Sequence, residues 1–277
     1  MQKTELSIEG SKQKSINLDI TYFKNNVKKP IIIFCHGFKG FKDWGHFNLI
    51  AAAFAKENFI FLKFSFSYNG TTKEHPADFA DLEAFGENNF TIELDDVALI
   101  IDFIENNTEK YEINKNEIYL MGHSRGGGIS ILKSAEDKRI KKLITWASVK
   151  DLSDFFKHQD ILKWKETGII YTYNSRTKQN MPLHFQLYEN YIYNKNRLDI
   201  PVASTNINIP WLMVHGANDE SVAVECAHQL HLWNQSSELV IIQQADHTFG
   251  GKHPWENMYL PQPTIQSIEV SVDFLRK

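Results

Sequence analysis

The sequence predicts an α/β fold: a mostly parallel sheet with antiparallel N-terminal strands, helices on both faces, and a cap insertion. Continuously apolar, β-branched runs that stop at glycines or polar turns read as strands buried on both sides. Helical periodicities follow several of them across short connections, which is the alternation of a parallel sheet. One segment, 149–208, breaks that rhythm.

In chain order, KSINLDITYF alternates Ile16, Leu18, Ile20 and Tyr22 at period two, as a half-buried antiparallel strand does. KPIIIFCHG is apolar throughout and ends at a glycine, the pattern of a parallel strand with no wet face. Phe47, Ile50, Ala51, Phe54 and Ala55 then fall on one face of a helix. FIFLKFSFSYNG is a further strand ending in a turn. Leu94, Val97, Ala98, Ile101 and Ile104 mark a second helix, with Asp95, Asp96 and Asp102 expected on its wet side. EIYLMGHS, KKLITWAS, IPWLMVHG and ELVIIQQAD supply four more strands. GGISILKSA, AVECAHQLHLW and TIQSIEVSVDFLRK carry weaker helical patterns. No internal repeat or low-complexity run divides the chain, which reads as a single domain over 1–277.

The 149–208 segment is far longer than the ~2–6 residues of an ordinary connection in such folds. It holds two helix-like stretches, then YTYNSRTKQNMPLHFQLYENYIYN, with five of the chain's ten tyrosines. It is expected to form a cap or lid over the sheet's carboxyl end; the alternative is an excursion packed on the side of the domain.

Composition excludes several classes. Thirty Lys and Arg against 34 Asp and Glu give a net charge of −4, with no basic run fit for nucleic acid or a lipid surface. KNNVKK and EDKRIKK are short and read as solvated loop ends. Two cysteines, Cys35 and Cys226, are too few for a disulfide framework and fit a reducing, cytoplasmic setting. MQKTELSIEG has no apolar core for a secretion signal, and no uncharged apolar run reaches the ~18 residues of a membrane span. No metal is expected, since HQLHLW sets His228 and His231 three apart with no third ligand, and no cofactor is implied.

The chemistry centres on IYLMGHSRGGGIS. A serine on a tight strand-to-helix turn has a strained backbone, and the residues two before and two after it crowd strand and helix. Gly122 and Gly126 occupy those places around Ser124, giving G-x-S-x-G between a strand and a helix. The cluster lacks both the G-x-G-x-x-G spacing and the Gly-Lys-Ser/Thr ending of a phosphate cradle.

A serine hydroxyl needs a base to take its proton and an acid to orient that base. Of eleven histidines, His36 and His215 precede glycines at strand ends and read as turn holders, and His123 lies inside the elbow. His247, in QQADHTFGG after the last strand, is the expected base. Asp219, in MVHGANDESV at the end of the preceding strand, is the expected acid. Glu220 points elsewhere and Asp246 is solvated or capping. The amides of Arg125 and Phe38 are the expected oxyanion donors, and Arg125's side chain is expected to pair with a carboxylate or carbonyl. Cys35 reads as inert packing, while Trp44 and His46 either edge the pocket or begin a helix.

The set HGFKG, GHSRGG, HGANDESV and DHTFGGKHPW resembles the α/β-hydrolase superfamily. Within it the chain is similar to the dienelactone-hydrolase-like branch that includes cinnamoyl and feruloyl esterases. The resemblance implies a triad of Ser124, Asp219 and His247, oxyanion amides at Phe38 and Arg125, and a cap over the acyl pocket. One departure is visible: dienelactone hydrolases proper carry a cysteine where this chain has Ser124.

The expected reaction is hydrolysis of a small-molecule carboxylic ester through an acyl-serine. A short-peptide or amide hydrolase, or a non-catalytic binding protein with the same fold, are the alternatives. Tyr171, Tyr173 and Tyr188, with Tyr191 and Tyr193, offer flat faces with polar tips for an aromatic or medium acyl group, or pack the cap onto the body.

Overall fold

A computed structural model describes residues 1–277. The strands are β1 (Gln2–Glu9), β2 (Ser15–Tyr22), β3 (Lys29–Cys35), β4 (Ile60–Ser65), β5 (Ile113–His123) and β6 (Ile140–Trp146). β7 (Ile169–Asn174), β8 (Gln179–His184), β9 (Trp211–Gly216) and β10 (Glu238–Ile242) follow. Eight of them form one sheet in the order β1-β2-β4-β3-β5-β6-β9-β10. β2 pairs antiparallel with β1 and β4, and every pairing from β4 to β10 is parallel.

The helices are α1 (Phe47–Lys56), α2 (Leu82–Glu87), α3 (Phe90–Glu105), α4 (Arg125–Glu136), α5 (Ile161–Thr167), α6 (Gln186–Tyr193), α7 (Ile200–Asn206), α8 (Glu225–Trp233) and α9 (Gln262–Arg276). The sheet separates two cores, and β3 feeds both. Ile31, Ile33 and Cys35 pack with α3, α4, α7 and α8, while Ile32 and Phe34 pack with α1 and α9. That two-sided burial is why Pro30–Cys35 contains no polar residue. The α1 residues expected in the core, Phe47, Ile50, Ala51, Phe54 and Ala55, are its buried ones.

Two sequence expectations are corrected, for β2 and for Asp96, and two stretches the sequence left unassigned take form. The segment expected only to lack a secretion signal forms edge strand β1, whose side chains alternate exposed and half-buried against β2. β2 itself has no wet face, because Asp19 on the polar side is fully buried and contacts Lys63 and Lys42. Asp96 is buried rather than solvated: its carboxylate accepts the Ser11 and Ser67 amides at 3.1 and 2.7 Å and the Ser67 hydroxyl at 3.0 Å. The tyrosine-rich part of the insertion is an antiparallel hairpin, β7–β8, followed by α6.

The 149–208 segment begins with a 3-10 turn, Leu152–Phe156, capped by Asp151 on the Ser153 amide at 2.7 Å. It continues through α5, the hairpin, α6 and α7 before β9. Trp164 of α5 is fully buried and its indole N–H donates to Leu183 O at 3.0 Å, which ties helix to hairpin. No helix is long and apolar enough to cross a membrane.

Candidate active site

Each group of the site sits just beyond the carboxyl end of a parallel strand. Ser124 follows β5 and opens α4 with φ 56° and ψ −123°, a conformation that costs about 1–3 kcal/mol and is held by its surroundings. A β-carbon at Gly122 would fall on the Gly126 carbonyl, and one at Gly126 on the carbonyls of Cys35 and His36. The two glycines therefore let strand, turn and helix close at van der Waals distance, as the spacing predicts.

Asp219 follows β9. Its Oδ1 accepts the amides of Ser221 and Val222 at 2.9 and 2.8 Å, so the loop wraps its own carboxylate. Its Oδ2 lies 2.8 Å from His247 Nδ1, and His247 Nε2 lies 3.0 Å from Ser124 Oγ. A carboxylate accepts only, so Nδ1 carries the ring proton and Nε2 presents a lone pair to the hydroxyl. The carboxylate is fully buried. Burial alone would raise its pKa, but hydrogen bonds from His215 and His247 outweigh that and hold it well below the usual carboxylate range.

His247 follows β10 on a loop fastened at both sides. Asp246 caps it by accepting the amides of Thr248 and Gly250 at 2.9 and 2.8 Å, and Gly250 adopts φ 83°. His123 Nε2 donates to the His247 carbonyl at 2.7 Å. Burial, with the neighbouring His247, drives the His123 pKa down to about 3, so this ring is a neutral strut.

No loop or turn hydrogen bond uses the amides of Phe38 and Arg125, and Phe38 lines the same cavities as Ser124. Gly37 lets the chain after β3 run close to the serine, since a β-carbon there would stand 2.9 Å from Ser124 Cβ. The Arg125 side chain turns away from the reacting centre: Nη2 donates to buried Glu93 at 2.6 Å, and the guanidinium lies 4.6 Å over the Phe38 ring. It thereby packs on the ring of Phe38, which lines both cavities at Ser124.

Two cavities meet at Ser124 and Phe38. One, of about 370 Å³, is lined by Phe90, Val149, Leu152, Phe155, Val222 and Cys226 together with Asp151 and Asp154. The other, of about 240 Å³, is lined by Lys39, Trp44, Phe47, His123, Arg176, His247 and His253. Tyr171, Tyr173 and Tyr188 line neither, which corrects the expectation that they contact substrate. Hairpin alternation turns Tyr171 and Tyr173 to solvent, 61 % and 59 % exposed, while Tyr188 packs on Phe156 and Phe185. Tyr191 is buried against Phe90 and Phe156, and Tyr193 is exposed.

Sequence reasoning missed three features. His215 does more than hold a turn: its buried Nε2 is 2.8 Å from Val222 O and 3.2 Å from Asp219 Oδ2. Its place four residues before Asp219 is the only sequence signal. The apolar wall from Val149, Leu152 and Phe155 was hidden inside the insertion. Glu93, the partner of Arg125, stood in a helix read only for its apolar face.

His36 and His46 brace the site in neutral form. His36 contacts Gly37 O through Nδ1 at 2.8 Å, and Nε2 accepts the Phe66 amide at 3.3 Å. His46 Nε2 bonds Thr264 Oγ1 at 2.9 Å. Burial lowers both to about 4 from an ordinary 6.5. A histidine depressed on folding contributes fully above its unfolded pKa, and that contribution is lost as pH falls from 6.5 toward 4. Two-state linkage puts the loss at roughly 3 kcal/mol per ring by pH 4. Thermal unfolding should therefore show Tm falling steeply from pH 6.5 to 4, with a shallower slope in His46→Gln. An unchanged slope in that variant would contradict the assignment.

The BD-FAE family profile matches residues 83–233, more than half of the chain, a span containing Ser124 and Asp219. The chain is 25 % identical over 252 residues to a Mycoplasma genitalium protein named putative esterase/lipase 2, covering 83 % of this chain and 86 % of the relative. A Mycoplasma pneumoniae protein of the same name is 25 % identical over 219 residues, 71 % and 74 % of the two chains. Among solved structures, Est1E from Butyrivibrio proteoclasticus with ferulic acid bound is similar at TM-score 0.72 and 18 % identity. That match covers 98 % of this chain and all of the other. A putative hydrolase from Agrobacterium vitis S4 is similar at TM-score 0.74 and 15 % identity, covering 99 % and 98 %. The chain belongs to the BD-FAE family, within the esterase superfamily built on the α/β-hydrolase fold.

Proposed function

We propose that this carboxylic ester hydrolase works through an acyl-serine formed on Ser124, with His247 as general base and acid and Asp219 as its orienting partner. The observation that carries the reading is the unbroken hydrogen-bond chain from Asp219 Oδ2 through His247 to Ser124 Oγ. Ser124 Oγ attacks the ester carbonyl as its proton passes to His247 Nε2, and the imidazolium gains from buried Asp219. The carbonyl oxygen, now an oxyanion, takes the Phe38 and Arg125 amides. His247 then gives its proton to the departing alkoxide, and water repeats the sequence on the acyl-serine.

The direction of proton return orients the substrate. The leaving oxygen must sit within reach of His247 Nε2, and His247 lines the smaller cavity and not the larger. The alcohol half therefore belongs in the Lys39–Arg176 cavity, and the acyl half in the apolar one between Phe90 and Phe155. That wall suits a small, medium or aromatic acyl group, a preference in keeping with the ferulic acid bound to Est1E. Residues 149–208 act as the cap of a single domain, since they bring Val149, Leu152 and Phe155 to one cavity and Asn174 and Arg176 to the other. A cytoplasmic setting fits the two free thiols.

A fluorophosphonate probe tests the nucleophile and paired substrates test the reaction. Wild type should be labelled and Ser124→Ala should not, and p-nitrophenyl butyrate should be cleaved far faster than aminoacyl p-nitroanilides. Labelling that survives in Ser124→Ala, or faster anilide cleavage, would overturn the reading.

A further inference from the structure

The two cavities at Ser124 differ in charge as well as size. Lys39, Arg176 and three histidines line the smaller one, and no Asp or Glu does. The larger one carries Asp151 and Asp154, and its only cation, Arg125, is spent on Glu93.

Both cations of the smaller cavity are half-buried, and neither is held by a buried carboxylate. Lys39 Nζ donates to Thr172 Oγ1 at 2.9 Å and to Tyr173 O at 2.8 Å, both uncharged, and no carboxylate acts on it. Two neutral acceptors leave one of its three N–H donors free. Burial pushes the Lys39 pKa below its ordinary value, which a bound anion would reverse. Arg176 is held from behind by the faces of Phe41 and Phe79, 5.3 and 5.7 Å from the guanidinium carbon. Its Nη2 donates to Ala77 O at 3.1 Å, and its one carboxylate neighbour, Asp78 at 3.6 Å, is 70 % exposed.

Lys39 is also placed at a conformational cost. The Gly40 amide donates to Gly37 O at 2.9 Å, closing a turn whose third residue, Lys39, has φ 58°. Glycine is the residue such a position favours, so the turn keeps a long cation where a smaller residue would be easier.

We infer that the enzyme selects esters whose alcohol half bears an anionic oxygen group, a carboxylate or a phosphate, bound between Lys39 and Arg176. This rests on the acyl-serine reading, because His247's proton return is what assigns the leaving alcohol to that cavity. Arg176 supplies the planar donor pair that such an anion accepts, and Lys39 supplies a compact point charge. The same anion on the acyl half would instead meet Asp151 and Asp154.

Four aryl esters test this in the wild-type enzyme: 4-carboxyphenyl butyrate, 4-(phosphonooxy)phenyl butyrate, neutral 4-carbamoylphenyl butyrate, and mono-phenyl glutarate with its anion on the acyl side. At least one alcohol-side anion should exceed the neutral ester by about tenfold or more in kcat/KM, mainly through KM, with the advantage shrinking as salt rises. Mono-phenyl glutarate should gain nothing. In Lys39→Gln/Arg176→Gln the ratio of anionic to neutral ester should fall toward one, and Lys39→Arg/Arg176→Lys should restore part of it. No advantage for either alcohol-side anion, an equal advantage for the glutarate, or a ratio unmoved in the double variant would overturn the inference. Equal cleavage of anionic and neutral butyrates would leave the acyl-serine reading standing; cleavage of none of the four would remove both.

Discussion

Ser124→Ala should lower kcat for a p-nitrophenyl ester by about 10⁴–10⁶-fold, the loss found when a nucleophile is removed from a triad that acts as a unit. The reason is local. Ser124 Oγ is the atom that contacts His247 Nε2, at 3.0 Å, and the one on which the proposed acyl group forms. Alanine keeps the β-carbon, and the hydroxyl accepts or donates no bond that holds the fold apart from the one to His247. Far-ultraviolet dichroism and Tm should therefore match wild type within a few degrees. A residual rate above about one hundredth of wild type would place the chemistry elsewhere, since intact oxyanion donors and binding alone leave far less.

Asp219→Asn should cost about 10⁴-fold in kcat, and the loss has a specific cause. The amides of Ser221 and Val222 donate to Oδ1, so an asparagine must direct its carbonyl oxygen there and its NH₂ toward His247. Imidazole Nδ1 would then have to accept, which moves the ring proton to Nε2, where it faces Ser124 and blocks proton uptake. His215 strengthens the effect, because it too presents Nε2 to that Oδ2. Glu220→Gln is the matched control: Glu220 is exposed, and its loss should change kcat less than about twofold, as surface changes away from such features do. Steady-state kinetics of the two variants side by side check the pair, and similar losses in both would contradict the assignment of the acid.

What could be read from the sequence was whatever the chain encodes locally. The run Ile31–Cys35 announces a strand buried on both faces, and Gly122 and Gly126 announce a turn too tight for side chains. His247 and Asp219 were legible because each follows a strand at the same end of the sheet. Features that depend on a distant partner were not legible. Asp96 looks solvated until Ser11 and Ser67 arrive from other elements to satisfy it. Tyr171 and Tyr173 look like pocket aromatics until pairing with β8 fixes which face of the hairpin is outside. His215 reads as a turn residue because a ring's partner is set by geometry, not by spacing. The wall of the larger cavity comes from Val149, Leu152 and Phe155, in a stretch with neither strand nor long-helix periodicity to place it.

The most direct measurement is the mass of the peptide carrying Ser124, taken after acid quench during turnover of a butyrate ester. A fraction of that peptide should be heavier by one butyryl group attached at Ser124, appearing before steady state and absent from Ser124→Ala. Rapid hydrolysis with Ser124 unmodified, or with the acyl group on another side chain, would contradict it.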